Sequence, residues 1–327
     1  KQNVGIQAAK KQMEAADAQI GTAWSLGKSE LYYKEDQNDI AENGVYNRVW
    51  GVRQSLDFPT VYGAQKSFLR AGFEQEAANF SLHLRSLKKE VSAAFVTAQY
   101  WQSLERNYQY LDSLYGAFAY AAERRQATGE SNLLEKLTAQ SKKREITLKL
   151  IEAEGNKKIA VDQLKQLINL EGEISLSLEE VELAAPTALE NHPGKNWYEA
   201  AKLQSFYQTQ IQKQTLLPNI NLDLFRGTNP GAEAKIYPGF EIGVGIPLFF
   251  GSQAAKIRAS KIAQDQISWE SVDFQNRLET RFSNFQRRKA QLQQALEYYE
   301  KEGNLLAQQL QQQAMVSFKE GEIDFLQ

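Results

Sequence analysis

Phe58-Pro59-Thr60-Val61-Tyr62-Gly63-Ala64-Gln65 and Ile246-Pro247-Leu248-Phe249-Phe250-Gly251-Ser252-Gln253 are two versions of one octapeptide. Pro247 lies 188 residues after Pro59. Upstream of each copy, apolar and polar residues alternate. Trp50, Val52, Leu56 and Phe58 stand against Arg53, Ser55 and Asp57, with Gln54 interrupting the apolar set; Phe240, Ile242, Val244 and Ile246 stand against Glu241, Gly243 and Gly245. A period of two with β-branched and aromatic residues predicts strands. Downstream of each copy, proline disappears: none falls between Pro59 and Pro186, and none after Pro247. Proline costs roughly 3 kcal/mol in a helix interior, so both stretches can hold long helices. Each octapeptide is a junction between a strand and a long helix.

The helical stretches carry matching stripes. Leu84, Leu87, Val91, Ala94, Ala98, Trp101, Leu104, Tyr108, Leu111, Tyr115 and Phe118 advance in steps of three and four. Leu278, Phe282, Phe285, Leu292, Leu296, Tyr299, Leu306 and Leu310 keep a seven-residue repeat, with Lys289 and Gly303 filling seam positions. Such stripes suit coiled-coil packing. Each helix ends in a glycine tip, Thr128-Gly129-Glu130-Ser131 and Glu320-Gly321-Glu322-Ile323-Asp324, with Gly321 192 residues after Gly129. The drift from 188 to 192 is close to one helical turn, which keeps the seam face.

The chain therefore reads as an internal two-fold repeat. The first unit, 1–170, holds a helix, strands over 23–33 and 46–58, a long helix over 62–125, a tip at 127–131 and a return helix over 132–170. The first strand pair flanks the polar stretch Lys34-Glu35-Asp36-Gln37-Asn38-Asp39. Residues 171–195 link the repeats. The second unit, 196–327, holds a helix, strands over 218–226 and 239–247, a long helix over 252–318 and a tip at 319–324. Gly227-Thr228-Asn229-Pro230-Gly231 marks the turn between its strands. Gln327 falls six residues past the second glycine, so a missing return helix is expected, and Lys1 begins without a charged-then-apolar signal segment, so the chain is expected to be trimmed.

Composition narrows the function classes. Among 327 residues there is no cysteine and there are two histidines, which leaves no thiol chemistry and little room for a histidine-built metal site. Thirty-eight basic against 40 acidic residues argue against nucleic acid as the main partner. His83 has no ligand residue three or four positions away, and His192 precedes Pro193 in a loop. Gly243-Val244-Gly245 lacks a glycine three residues on, so it fails as a dinucleotide fingerprint. Charge pairs such as Glu145 with Lys149 read as solvated helix faces. No catalytic residue, cofactor or metal is expected.

Four strands cannot close a barrel, and an open sheet leaves unpaired edges. An apolar face opposite a polar one over about ten residues is the transmembrane β-strand pattern. Aromatics at the strand ends (Trp24, Tyr32, Tyr33, Tyr46, Trp50 and Tyr62; Phe225, Tyr237, Phe249 and Phe250) suggest interfacial girdles. The same alternation also fits a soluble sheet with one face on a core, and the rods fit a structural coiled-coil surface protein or adhesin with a small β-head. The duplicated junction favours the membrane reading, because an adhesin has no reason to repeat it.

In the order and double occurrence of these parts the chain resembles the TolC-like outer membrane efflux proteins, the exit ducts of tripartite pumps. The resemblance rests on the two octapeptides, on Leu217-Pro218-Asn219-Ile220 at the second strand pair, and on the tips Ala127-Thr128-Gly129-Glu130-Ser131 and Ser317-Phe318-Lys319-Glu320-Gly321-Glu322-Ile323-Asp324. It implies a mainly α fold with a small β part: helical hairpins forming an α-barrel, and four strands per protomer in a trimeric twelve-stranded transmembrane β-barrel. It implies a Gram-negative outer membrane location with a periplasmic helical extension. Homotrimerisation, a periplasmic adaptor, an inner-membrane transporter of the RND type and outer membrane lipid are the partners implied, with type I secretion as the alternative within transport. Under this resemblance Gly129, Glu130, Ser131, Lys319, Glu320, Gly321, Glu322 and Asp324 form the adaptor-docking tips. Pro59, Gly63, Pro247 and Gly251 mark the barrel-to-helix junctions, and Arg53, Asp57, Asp223 and Glu241 face the lumen.

Overall fold

The computed structural model describes residues 3–177, 189–229, 234–320 and 322–323. In chain order the elements are helix α1 (Val4–Ile20), strands β1 (Glu30–Ile40) and β2 (Tyr46–Leu56), then helices α2 (Pro59–Ala127), α3 (Leu133–Ile168) and α4 (Pro193–Gln214). Strands β3 (Asn219–Thr228) and β4 (Ile236–Gly245) follow, and then helix α5 (Gly251–Tyr298), a π-helical turn (Tyr299–Gly303) and helix α6 (Asn304–Glu320). The fold is mainly helical with one small antiparallel sheet of order β1-β2-β3-β4.

The chain divides into two compact units. One takes in residues 1–7, 83–187 and 278–327, the other 8–82 and 188–277. This division does not follow the repeat: each unit draws on both halves of the sequence. The sheet belongs wholly to the second unit and is where the halves join, because β2 of the first repeat pairs with β3 of the second over Arg48–Leu56.

In the helical unit, α2 and α3 form a hairpin whose buried positions are chiefly alanines: Ala98, Ala122, Ala139, Ala153 and Ala160, with Leu164. Small side chains allow the helix backbones to approach, and ion pairs flank the seam. Lys143 Nζ lies 2.5 Å from Asp112, Lys157 Nζ 2.5 Å from Glu105 and Lys136 Nζ 3.4 Å from Glu123. The Asp112 carboxyl is held below its usual range by the hydrogen bond from Lys143 and, next, that from Thr147. Leu292, Leu296, Leu306 and Leu310, expected as a seam, are exposed in the single chain.

Two expectations are corrected. Residues 23–29 are not part of the expected strand: Gly21–Trp24 form a 3-10 turn, and β1 begins only at Glu30. The polar stretch 34–39 therefore lies inside a strand. Its charges are met along the ladder by the pairs Lys34–Asp36 at 3.5 Å and Arg48–Glu35 at 3.3 Å, and by Asn47 donating to Asp39. Backbone pairing, rather than side-chain hydrophobicity, makes that part a strand. The long helix expected over 252–318 is helical throughout, with one π-helical turn inside it ending at Gly303, where an added Cβ would lie 3.0 Å from the Tyr299 ring.

The inter-repeat segment 171–195 falls partly outside the described residues, as do Pro230 and Gly231 of the expected β3–β4 turn; Gly227 and Thr228 still belong to β3. His192 is no plain loop residue: its Nδ1 accepts from Gly194 N–H at 3.0 Å and caps α4, one place before Pro193. No cluster of metal-binding side chains occurs among the described residues.

Candidate functional site

The sheet register sorts the strands into rows. Glu30 stands opposite Arg53, Arg53 opposite Asp223, and Asp223 opposite Glu241, so four charged residues cross the whole sheet on one face. Arg53 Nη2 lies 3.0 Å from Asp223 Oδ2 and Arg53 Nη1 3.6 Å from Glu30. Tyr32 Oη donates to both oxygens of Asp223, at 3.0 and 3.1 Å. Asp223 is only 6% exposed, its carboxylate satisfied by Arg53 and Tyr32. Of the expected polar-face residues, Arg53, Asp223 and Glu241 thus share one row. Asp57 does not: it lies past the last residue of β2.

Glu30 was not anticipated, because pairing register is not readable from one strand. The next row on this face is Tyr32–Gly51–Phe225–Gly239. Each ring lies over its neighbouring glycine, since a Cβ on Gly51 would come within 2.3 Å of Tyr32, and one on Gly239 within 2.4 Å of Phe225. The glycines make room for the rings to lie flat along the sheet, which brings the Tyr32 hydroxyl to Asp223. Tyr32 and Phe225 therefore leave the expected girdle. Tyr62 leaves it too, buried and stacked on Trp24 at 5.4 Å.

The opposite face is chiefly apolar, interrupted by Gln54 opposite Leu222 and by exposed Arg226 opposite Trp50. Its row Leu31–Val52–Leu224–Phe240 is flanked by Leu222 with Ile242 and by Tyr33 with Trp50. Leu224 is 65% and Phe240 73% exposed. Burial of such side chains is worth roughly 1.5–3 kcal/mol each, so a contiguous exposed sheet of them marks a surface that is covered in the working protein. The strands β1 and β4 also leave two unpaired edges.

The two strand-to-helix junctions meet at a cleft of about 350 Å³ lined by Asp57, Phe58, Val61, Gln214, Thr215, Leu217, Asn219 and Gly245–Pro247. They are built differently. Pro59 opens α2, where its missing N–H costs nothing. Pro247 lies in a segment that belongs to neither strand nor helix, and the helix begins only at Gly251. Gly63 and Gly251 face open space.

At the first tip Glu130 N–H donates to Arg125 C=O at 2.9 Å, and Gly129 N–H to Gln126 C=O at 3.2 Å. These two bonds are the Schellman ending, and Gly129, at φ 81, takes its left-handed position. Asn132 caps α3 by accepting from Glu135 N–H at 2.9 Å. Ser131 Oγ hydrogen-bonds the buried Glu135, which also meets Arg125 at 3.4 Å. Arg125 in turn lies over the Phe318 ring, 5.5 Å from its centroid. The Asn132-x-x-Glu135 spacing is a capping-box signal in the sequence itself.

At the second tip Glu322 N–H donates to Ser317 C=O at 2.9 Å, repeating the Glu130–Arg125 bond in the other half, and Ser317 Oγ donates to Glu322. Glu130, Glu320 and Glu322 are exposed. Gly321, Asp324 and the Lys319 side chain lie outside the described residues.

No family model matches the sequence, and no curated protein matches it. Solved structures do. The outer-membrane channel OprN is 18% identical, with a TM-score of 0.78 over 99% of this chain and 79% of its own. The CmeC outer membrane channel of Campylobacter jejuni is 16% identical, with a TM-score of 0.77 over 100% of this chain and 76% of its own. The outer membrane protein VceC of Vibrio cholerae is 12% identical, with a TM-score of 0.79 over 98% and 83%. The chain has the fold of these outer membrane channels, a long helical part with a small β part, as its resemblance to the TolC-like proteins implies.

Proposed function

We propose that this chain, with the fold of the TolC-like outer membrane channels, is one protomer of an efflux exit duct in the outer membrane of a Gram-negative bacterium. The observation that carries the reading is the sheet: four strands, one exposed apolar face, one charged face and two open edges. Three copies would pair β1 of one with β4 of the next and close a twelve-stranded barrel. That closure removes every edge, places Leu31, Val52, Leu224 and Phe240 against lipid, and turns the Glu30–Arg53–Asp223–Glu241 row into the wall of a water-filled lumen. A structural adhesin accounts for the helices but not for this two-faced sheet.

The duct performs no chemistry. Solutes delivered by an inner-membrane transporter, of the RND type on the resemblance of the tips, would pass down the lumen without further energy input. Glu130, Glu320 and Glu322 are the exposed tip carboxylates suited to contact a periplasmic adaptor; Gly129 serves the turn.

Planar-bilayer recording on the purified chain tests this. Discrete, stepwise currents are expected once the protein inserts from detergent. A chain that is folded and monodisperse in plain buffer, and that never conducts, would overturn the proposal.

A further inference from the structure

The charged row of the sheet is uneven. Glu30, Asp223 and Glu241 set three carboxylates against the one guanidinium of Arg53. Arg53 lies between Glu30 and Asp223 and pairs with both, at 3.6 and 3.0 Å. Glu241 stands directly opposite Asp223 in the β3–β4 ladder, and like charges so placed are destabilising. It is exposed, and its carboxylate has no ion pair or hydrogen bond among the described residues.

β4 is bare around this carboxylate. On the same face of the strand Glu241 is flanked by Gly239 and Gly243. The half-buried Phe225 ring reaches across from β3 and covers Gly239, where a Cβ would come within 2.4 Å of it. A Cβ on Gly243 would meet only Asn221, at 3.6 Å. Across the ladder, then, the Glu241 carboxylate has a ring, a second carboxylate and an amide for neighbours, and no cation.

An aromatic face attracts a cation through its quadrupole, and more strongly where the cation sheds water. A hard metal ion needs several oxygen ligands at about 2.0–2.6 Å, which a ring does not supply. An organic ammonium, whose charge is spread over carbon, uses both the ring and the carboxylate.

We propose that Phe225 and Glu241 form a subsite for organic cations on the lumen wall, one in each protomer, where an ammonium group rests on the ring with the carboxylate beside it. This rests on the duct reading, in which this face of the sheet lines the lumen, and it gives that lumen a preference among solutes.

Ethidium, a planar aromatic cation, tests the subsite through its fluorescence anisotropy, titrated with the purified protein in a non-ionic detergent. Saturable binding is expected, displaced by benzyltrimethylammonium and not by benzenesulfonate. Phe225→Leu and Glu241→Gln should each weaken it about two- to fivefold, and the two together roughly tenfold. Phe225→Tyr keeps the ring and should bind like wild type. Heat resistance of the assembled oligomer on gels shows that the variants are folded, and Glu241→Gln, which removes a like-charge pair, should be no less resistant than wild type. Binding that is absent, or that either Phe225→Leu or Glu241→Gln leaves unchanged, as when a cation of the next protomer takes up the carboxylate, overturns the subsite. Equal displacement by benzenesulfonate does so too. Either result alongside stepwise bilayer currents from the wild-type protein leaves the duct standing, whereas absence of those currents overturns the duct reading itself.

Discussion

Arg53 and Asp223 are 170 residues apart in sequence, yet they stand opposite one another in the β2–β3 ladder with a 3.0 Å ion pair between them. That contact ties the first repeat to the second at the centre of the sheet. The Tyr32 hydroxyl completes the carboxylate's shell. Because Asp223 is buried and Arg53 is half exposed, the carboxylate is the partner whose loss hurts more. Asp223→Leu leaves the guanidinium and the tyrosine hydroxyl without an acceptor, a cost of about 2–3 kcal/mol. Asp223→Asn keeps an acceptor and should cost about half as much. The heat resistance of the assembled oligomer on gels checks the order wild type, Asn, Leu.

The two faces of the sheet should answer oppositely to charge. Leu224→Arg places a guanidinium on the apolar face, where a mid-bilayer cation costs about 2–4 kcal/mol. Asn221→Arg lies on the charged face beside Gly243 and should be tolerated. Folded yield in vesicles separates the two. Equal tolerance would mean that the apolar face does not meet lipid.

Glycine substitutions separate a conformational need from mere occupancy. Gly129 has φ +81 with nothing near its missing Cβ, so Gly129→Ala should cost about 1–2 kcal/mol through the backbone alone. Gly63 lies inside α2 in equally open space, so Gly63→Ala should stabilise by about 0.5–1 kcal/mol. Urea denaturation of both variants in one detergent makes the comparison.

The α2–α3 seam predicts an acid dependence. The Asp112 carboxyl is held below its usual range by Lys143 and Thr147. Its contribution is therefore present above the unfolded carboxylate pKa of about 3.9 and is lost as pH falls through its lowered native value. Asp112→Asn should be less stable than wild type at neutral pH, and the gap should close below about pH 4. Thermal melting of the two proteins across pH reads this directly.

What could be read from the sequence differed from element to element for physical reasons. β4 announces itself, because Phe240, Ile242, Val244 and Ile246 alternate with small or polar residues. β1 does not: Lys34–Asp39 is polar throughout, and only pairing with Tyr46–Arg53 makes it a strand. Gly129 was legible because a helix hairpin needs a left-handed residue. The contacts of Arg125 with Glu135 and Phe318 were not, since they depend on how two turns lie against one another. Gly303 looked like a seam filler, but it closes a π-helical turn. In the charged row, Arg53, Asp223 and Glu241 follow from alternation, while Glu30 emerges only from register.

The central claim is that three copies close one barrel by pairing β1 with β4, and trapping that seam with disulfides tests it most directly. In the cysteine-free chain, Leu31→Cys on β1 would be combined in turn with Phe240→Cys, Ile242→Cys and Val244→Cys on β4, and the membrane-embedded protein oxidised. At the matching register the account predicts covalent dimers and trimers on a gel, with nothing larger. Products that stop at two chains, a ladder that runs on past three, or no cross-link at any register would contradict it.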